Sequence, residues 1–174
     1  MERADTQAID FDDLLERCRA ELERGAERHV GLQLVCDLLH REVPHYDWFG
    51  FYLAVPEERV LVLGPYQGEP TDHVRIPYGR GICGQAAERR DTFLVDDVAA
   101  QDNYLSCSIH VRSEIVVPVF EGDEVVAEID IDSHRTAAFT DADRRFLEQL
   151  ASLVVPHLPD LGETRGTMSG KENA

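Results

Sequence analysis

A chain of 174 residues that is 43% apolar and 29% charged is long enough for one compact core and too short for two ordinary domains. No apolar run approaches the roughly 20 residues of a membrane span, and the first residues lack the apolar stretch of a signal peptide. The formal net charge of −17 opposes approach to phosphate and excludes nucleic acid as a partner. The expectation is a cytoplasmic globular protein whose cysteines are buried or reactive thiols, not a disulfide framework.

Residues 1–9 read as a flexible start. Asp10 then caps a helix over 11–24, in which Phe11, Leu14, Leu15, Cys18 and Leu22 fall at helical spacing. That stripe suits packing on a sheet or pairing in a homodimer equally well. A second helix follows Gly25, with Val30, Leu34, Val35, Leu38 and Leu39 on its apolar face, and Pro44 stops it. Asp47 to Val55 and Val60 to Tyr66 form a hairpin across Pro56-Glu57-Glu58-Arg59. A short strand over His73 to Ile76 precedes Pro77, and Gly79-Arg80-Gly81 leads into a short helix with Cys83 in its first turn.

Thr92 to Val95 is a further strand, and 99–112 is irregular. Glu114 to Phe120 and Val125 to Asp132 make a second hairpin closed by Glu121-Gly122-Asp123. Thr140 opens a last helix with Asp143 at the capping-box position and Phe146, Leu147, Leu150, Leu153 and Val154 on its apolar side. Residues 159–174 turn polar and small, the composition of a flexible tail. The order of elements fits one α+β domain over 10–158: an antiparallel sheet with the terminal helices on one face and the other face left for a pocket.

Two groups of residues carry chemistry. On the last strand, period-two alternation turns Ile129 and Ile131 one way and Glu128, Asp130, Asp132 and His134 the other, with Glu114 on the partner strand. Carboxylates crowded on one face imply a solvated surface, a bound cation, or one acid kept protonated. No His-x-His, Cys-x-x-Cys or calcium-loop spacing is present, so no metal ligand is assigned. Among the thiols, Cys18 and Cys36 read as small buried hydrophobes. Cys83 differs, because the N–H groups and dipole of a helix start favour a thiolate, and Cys107 lies between two serines whose hydroxyls offer similar help. Trp48 and Tyr52 share a strand face if no bulge intervenes, and could then enclose an apolar group.

Taken together, Trp-Phe-Gly-Phe-Tyr-Leu, Leu-Gly-Pro-Tyr-Gln-Gly, Val-Arg-Ile-Pro-Tyr-Gly-Arg-Gly-Ile-Cys-Gly, Ser-Glu-Ile-Val-Val-Pro, Asp-Ile-Asp-Ser and Phe-Thr-Asp-Ala-Asp make the stretch from about Asp47 to Leu150 resemble the free methionine-(R)-sulfoxide reductases, built on a GAF domain. The resemblance implies a GAF-like fold, Cys107 as the cysteine that attacks the sulfoxide, and Cys83 as a second redox cysteine. It further implies Glu114, Asp130 and Asp132 as acids that hold the substrate and Trp48 as an aromatic wall, beside which strand alternation sets Tyr52. Many members of that family carry another cysteine where this chain has His73, and Ala127-Glu128 replaces a more usual glycine and aliphatic pair.

The implied reaction suits the residues. Asp130 and Asp132 would select the ammonium of a free amino acid, and N–H groups around Gly81 to Gly84 would hold its carboxylate. Glu114 would protonate the sulfoxide oxygen while Cys107 attacks sulfur. The sulfenic acid left on Cys107 would condense with Cys83 to a disulfide, which a thioredoxin-like dithiol would reduce, so no bound cofactor is needed. The alternatives are a non-catalytic module of the same fold that binds a small metabolite, and a metal-dependent hydrolase using the acids.

Overall fold

The computed structural model describes residues 8–105 and 108–160. Cys107 and most of the two expected flexible ends lie outside them. Helix α1 (Phe11–Arg24) begins where Asp10 accepts a hydrogen bond from the Asp13 amide at 3.0 Å, and it buries Leu14, Cys18 and Leu22. Helix α2 (Arg28–Glu42) follows a tight joint, where a Cβ on Gly25 would lie 2.4 Å from the backbone nitrogen of Gly31. Only glycine permits that approach.

Strands β1 (Trp48–Val55), β2 (Val60–Gln67), β3 (Arg75–Pro77), β4 (Phe93–Val95), β5 (Ser113–Glu121) and β6 (Glu124–Ser133) form one sheet in the order β3-β2-β1-β6-β5-β4, with every neighbouring pair antiparallel. Helix α3 (Gly81–Arg89) links β3 to β4, and α4 (Asp141–Val154) closes the domain. Its start is a reciprocal capping box: Thr140 bonds the N3 backbone while its own N–H donates to Asp143 Oδ2 at 2.8 Å.

The third strand starts two residues later than the sequence pattern predicts and includes Pro77. The amides of His73 and Val74 are taken by Thr71 Oγ1 and the Asp72 carbonyl, so a turn occupies the expected first half. Proline is tolerated at the end because β3 is an edge strand.

Alternation divides the sheet into two faces. Phe49, Phe51, Leu53, Ile115, Val117, Val119, Ala127, Ile129 and Ile131 pack with α2 and α4 into the larger core. The stripe on α1 is buried within the same chain, chiefly against α2 and α4 in the core that also holds this face of the sheet, with Phe11 stacked on Phe146 at 4.8 Å between ring centres. The opposite face carries Trp48, Tyr52, Ala54 and Val116 under α3. Among the described residues no helix is long and apolar enough to cross a membrane.

Candidate active site

The acids sit on the α3 side of the sheet by register. Trp48, Gly50 and Tyr52 of β1 stand opposite Asp132, Asp130 and Glu128 of β6, while Glu114 and Val116 of β5 stand opposite Asp132 and Asp130 from the other side. No bulge interrupts the β1–β6 pairing, so Trp48 and Tyr52 share a face, as the alternation requires. The face is not solvated: Glu114, Glu128, Asp130 and Asp132 are 4%, 0%, 1% and 1% exposed. Of the three explanations for crowded carboxylates, burial leaves a bound cation or a retained proton.

Helix α3 carries the thiol to these acids. A Cβ on Gly84 would fall 2.4 Å from the Pro77 carbonyl oxygen, so its absence lets the helix lie close on β3. The left-handed Gly81 sets the entry of the helix, and its N–H donates to Asn103 Oδ1 at 3.0 Å. Cys83 in the first turn is 5% exposed, and its Sγ donates to Glu114 Oε1 at 3.8 Å. One donor atom each from Cys83, Glu114 and Asp130 lie within 4.8 Å of one another. The Gly81 amide thus already has a partner, and the Gly84 amide closes an ordinary helical bond on the Arg80 carbonyl.

Burial sets the protonation of this cluster. Loss of water pushes the Glu114 carboxyl well above its usual range, and the nearby Asp130 and Asp132 push it further, while the Cys83 thiol opposes them. Asp130 rises to about 6, again through burial, and is restrained by Glu114, Cys83 and the charge of His73. Beyond Glu114 and Cys83, neither oxygen of Asp130 has a hydrogen-bond partner among the described residues. Glu128 is raised by burial and then by Asp130, and neither of its oxygens has a hydrogen-bond partner among the described residues.

Trp48 lies flat against the sheet. Its ring stacks on Tyr66 at 5.2 Å and on Tyr52 at 6.4 Å, and its Nε1 donates to the Glu69 carbonyl at 3.0 Å. Gly50 makes this possible, since a Cβ there would meet the indole at 2.3 Å. The role of Gly50 was open to prediction, because glycine inside a strand marks a close approach; the stacking of Tyr66 across the hairpin gave no local signal. Tyr52 is fully buried and donates its hydroxyl to the His73 carbonyl at 3.0 Å. It therefore fixes the backbone of residue 73.

A crevice lined by Trp48, Ser108, Val111, Asp132 and His134 lies beside the acids and has about 10 Å³ of free volume. That space barely admits one water molecule. Leu105 packs over Gly81 and Ser108 lines the crevice, so the chain on either side of Cys107 borders the acid face. Cys18 and Cys36 lie in the other core; burial pushes the first up to about 12 and the second well above the usual thiol range, as expected for inert thiols.

A sequence profile for the GAF domain matches residues 25–157. The free methionine-R-sulfoxide reductase of Escherichia coli is 40% identical over 115 residues, 66% of this chain and 68% of that protein. Protein YtsP of Bacillus subtilis is 36% identical over 142 residues, 82% of this chain and 86% of that protein. The X-ray structure of the Neisseria meningitidis free methionine-R-sulfoxide reductase in complex with its substrate superposes with a TM-score of 0.80, at 30% identity, over 96% of this chain and 99% of that one. With the buried acids and the adjoining thiol in the GAF fold, these likenesses show that the chain is an enzyme of the free methionine-R-sulfoxide reductase family.

Proposed function

We propose that this chain reduces free methionine-(R)-S-oxide to methionine, with Cys107 as nucleophile, Glu114 as proton donor and Cys83 as resolving thiol. The observation that carries this reading is the convergence of the Cys83 thiol, Glu114 and Asp130 on one buried point, beside Asp132 and Trp48. Asp130 and Asp132 face the substrate ammonium, a group that a methionine within a peptide lacks. Trp48 lies against the thioether.

In the first half-reaction the Cys107 sulfur attacks the sulfoxide sulfur as Glu114 passes its proton to the oxygen, and the oxygen ends on Cys107 as a sulfenic acid. The sulfoxide sulfur is reduced by two electrons and the Cys107 sulfur is oxidised by two. The proton given up by the Cys107 thiol restores Glu114. Cys83 then attacks the sulfenic acid, forming a disulfide and releasing water, and a thioredoxin-like dithiol in the cytoplasm reduces the pair.

Methionine release from free methionine-(R)-S-oxide, from its S epimer and from the N-acetylated R compound, each with a dithiol reductant, tests the reading. Turnover of the free R compound alone is expected. Equal turnover of the N-acetylated compound would contradict the role of the acids. His73, standing where many relatives of this type carry cysteine, gives some support to a second reading, a module that binds the amino acid unchanged. Binding of the sulfoxide with no methionine formed would establish it.

A further inference from the structure

The atoms of Cys83, Glu114 and Asp130 come from three separate elements, α3, β5 and β6, and lie within 4.8 Å of one another. Such a set escapes any search for local ligand spacing. One sulfur and two carboxylate oxygens suit a borderline-soft divalent ion such as Zn²⁺, which accepts thiolate at about 2.3 Å and carboxylate at about 2.0–2.2 Å. Donors at those lengths in a tetrahedron are about 3.5 Å apart, so the three atoms need only close by roughly an ångström through side-chain rotation. All three side chains are almost wholly buried.

Asp130 supplies an independent sign of a missing cation. It is 1% exposed, sits inside the cluster, and beyond Glu114 and Cys83, the cluster's other two members, neither of its oxygens has a hydrogen-bond partner among the described residues. A carboxylate in that state carries a desolvation cost that a cation would offset. The same cost makes the site receptive to any cation of suitable size, and the substrate ammonium is only one of these.

We propose that Cys83, Glu114 and Asp130 form a binding site for a thiophilic divalent cation, Zn²⁺ being the type case, and that the ion shuts off the reductase by occupying the place of the substrate ammonium. The ion displaces the thiol proton of Cys83 and any proton on the two carboxyls into solvent, leaving a thiolate and two carboxylates around the metal. Water completes the shell. The thiolate so held cannot attack a sulfenic acid, so resolution stops as well. The inhibitory half rests on the proposed reaction; the binding half does not.

The test uses the full chain, reduced and stripped of metal, titrated with Co²⁺ in the absence of substrate. A thiolate-to-cobalt charge-transfer band that saturates at one ion per chain is expected. The band should vanish in Cys83→Ser, persist in Cys107→Ser, and need at least tenfold more Co²⁺ in Asp130→Asn. Zn²⁺ should displace the cobalt, raise the melting temperature of the wild type but not of Cys83→Ser, and inhibit turnover by both raising the KM for the sulfoxide and lowering kcat. A cooperative melt in each variant guards against misfolding. A band that survives Cys83→Ser, an unchanged affinity in Asp130→Asn, or no band at saturation would overturn the proposal. Metal binding in a protein that turns over no sulfoxide would leave this site standing and remove the proposed function, and turnover without metal binding would do the reverse.

Discussion

The thiol of Cys83 and the carboxyl of Glu114 meet across 3.8 Å, joining the first turn of α3 to the start of β5. Burial and then two neighbouring aspartates push the Glu114 carboxyl well above its usual range, so the Cys83 thiol donates to a group that holds its own proton more tightly than an ordinary carboxyl. Glu114→Gln keeps the shape and removes the donor. A fall in kcat of about 10²-fold with little change in KM is expected, in line with the usual size of general-acid catalysis. Steady-state kinetics on the free sulfoxide measures it.

Asp130 gives the pH profile its acid limb. The groups around it are Glu114 on β5, Asp132 and Glu128 on its own strand, Cys83 on α3, and His73 between β2 and β3. With chelator present, kcat/KM should rise as pH passes through about 6, where Asp130 ionises to meet the ammonium, and fall at higher pH as Glu114 loses its proton. Stability runs the other way. The folded carboxyl holds its proton more tightly than the unfolded one, so its contribution is full below the ordinary carboxyl range and lost as pH rises through about 6. Asp130→Asn should flatten both trends and raise KM by roughly 10- to 100-fold, as for loss of a charged hydrogen bond.

Glu128 has no hydrogen-bond partner for either oxygen among the described residues, and it is wholly buried. Replacing a buried, unsatisfied acid by an apolar residue of similar volume commonly stabilises by about 1–3 kcal/mol. Glu128→Leu should therefore melt several degrees higher, with the gain larger at pH 8 than at pH 4, because the folded chain holds the Glu128 proton more tightly than the unfolded one and the carboxyl's contribution is lost as pH rises above the ordinary carboxyl range. A lower melting temperature at both would contradict the account.

Asp143 makes the opposite prediction. Burial pushes its carboxyl up, but hydrogen bonds from His45 and Thr140 outweigh this and leave it below the usual range; it also accepts from Tyr46 at 3.0 Å. Its stabilisation is full above the unfolded carboxyl's value and drains away as pH falls through the lowered one. Asp143→Ala should cost about 2–3 kcal/mol near neutrality, from the lost cap and the stranded donors. Chemical denaturation at pH 7 and pH 3 should show that cost shrinking in acid.

Much of this site is written locally. Alternation puts Glu128, Asp130 and Asp132 on one side of their strand and, without a bulge, Trp48 and Tyr52 on one side of theirs, while only the register of β1 on β6 shows that the two sides are the same face; the Gly-rich run around Cys83 marks the turn that brings α3 down. Burial was less legible. Charged residues usually lie outside, and only the packing of α3 over the sheet shows that this face is dry. The contact of Cys83 with Glu114 and Asp130 spans elements far apart in sequence, so no spacing could reveal it. The tether from Tyr52 to the His73 carbonyl likewise depends on the turn at residues 71–74, which displaced the predicted start of β3.

The central claim is that Cys83 and Cys107 are partners in one redox cycle. One equivalent of free methionine-(R)-S-oxide should be added to the reduced protein without external reductant, and the thiols then blocked and the cysteine peptides mapped by mass spectrometry. The account predicts one methionine per chain and a disulfide joining Cys83 to Cys107, with Cys18 and Cys36 still reduced. Methionine formed while Cys107 remains a thiol, or a disulfide that omits Cys83, would contradict it.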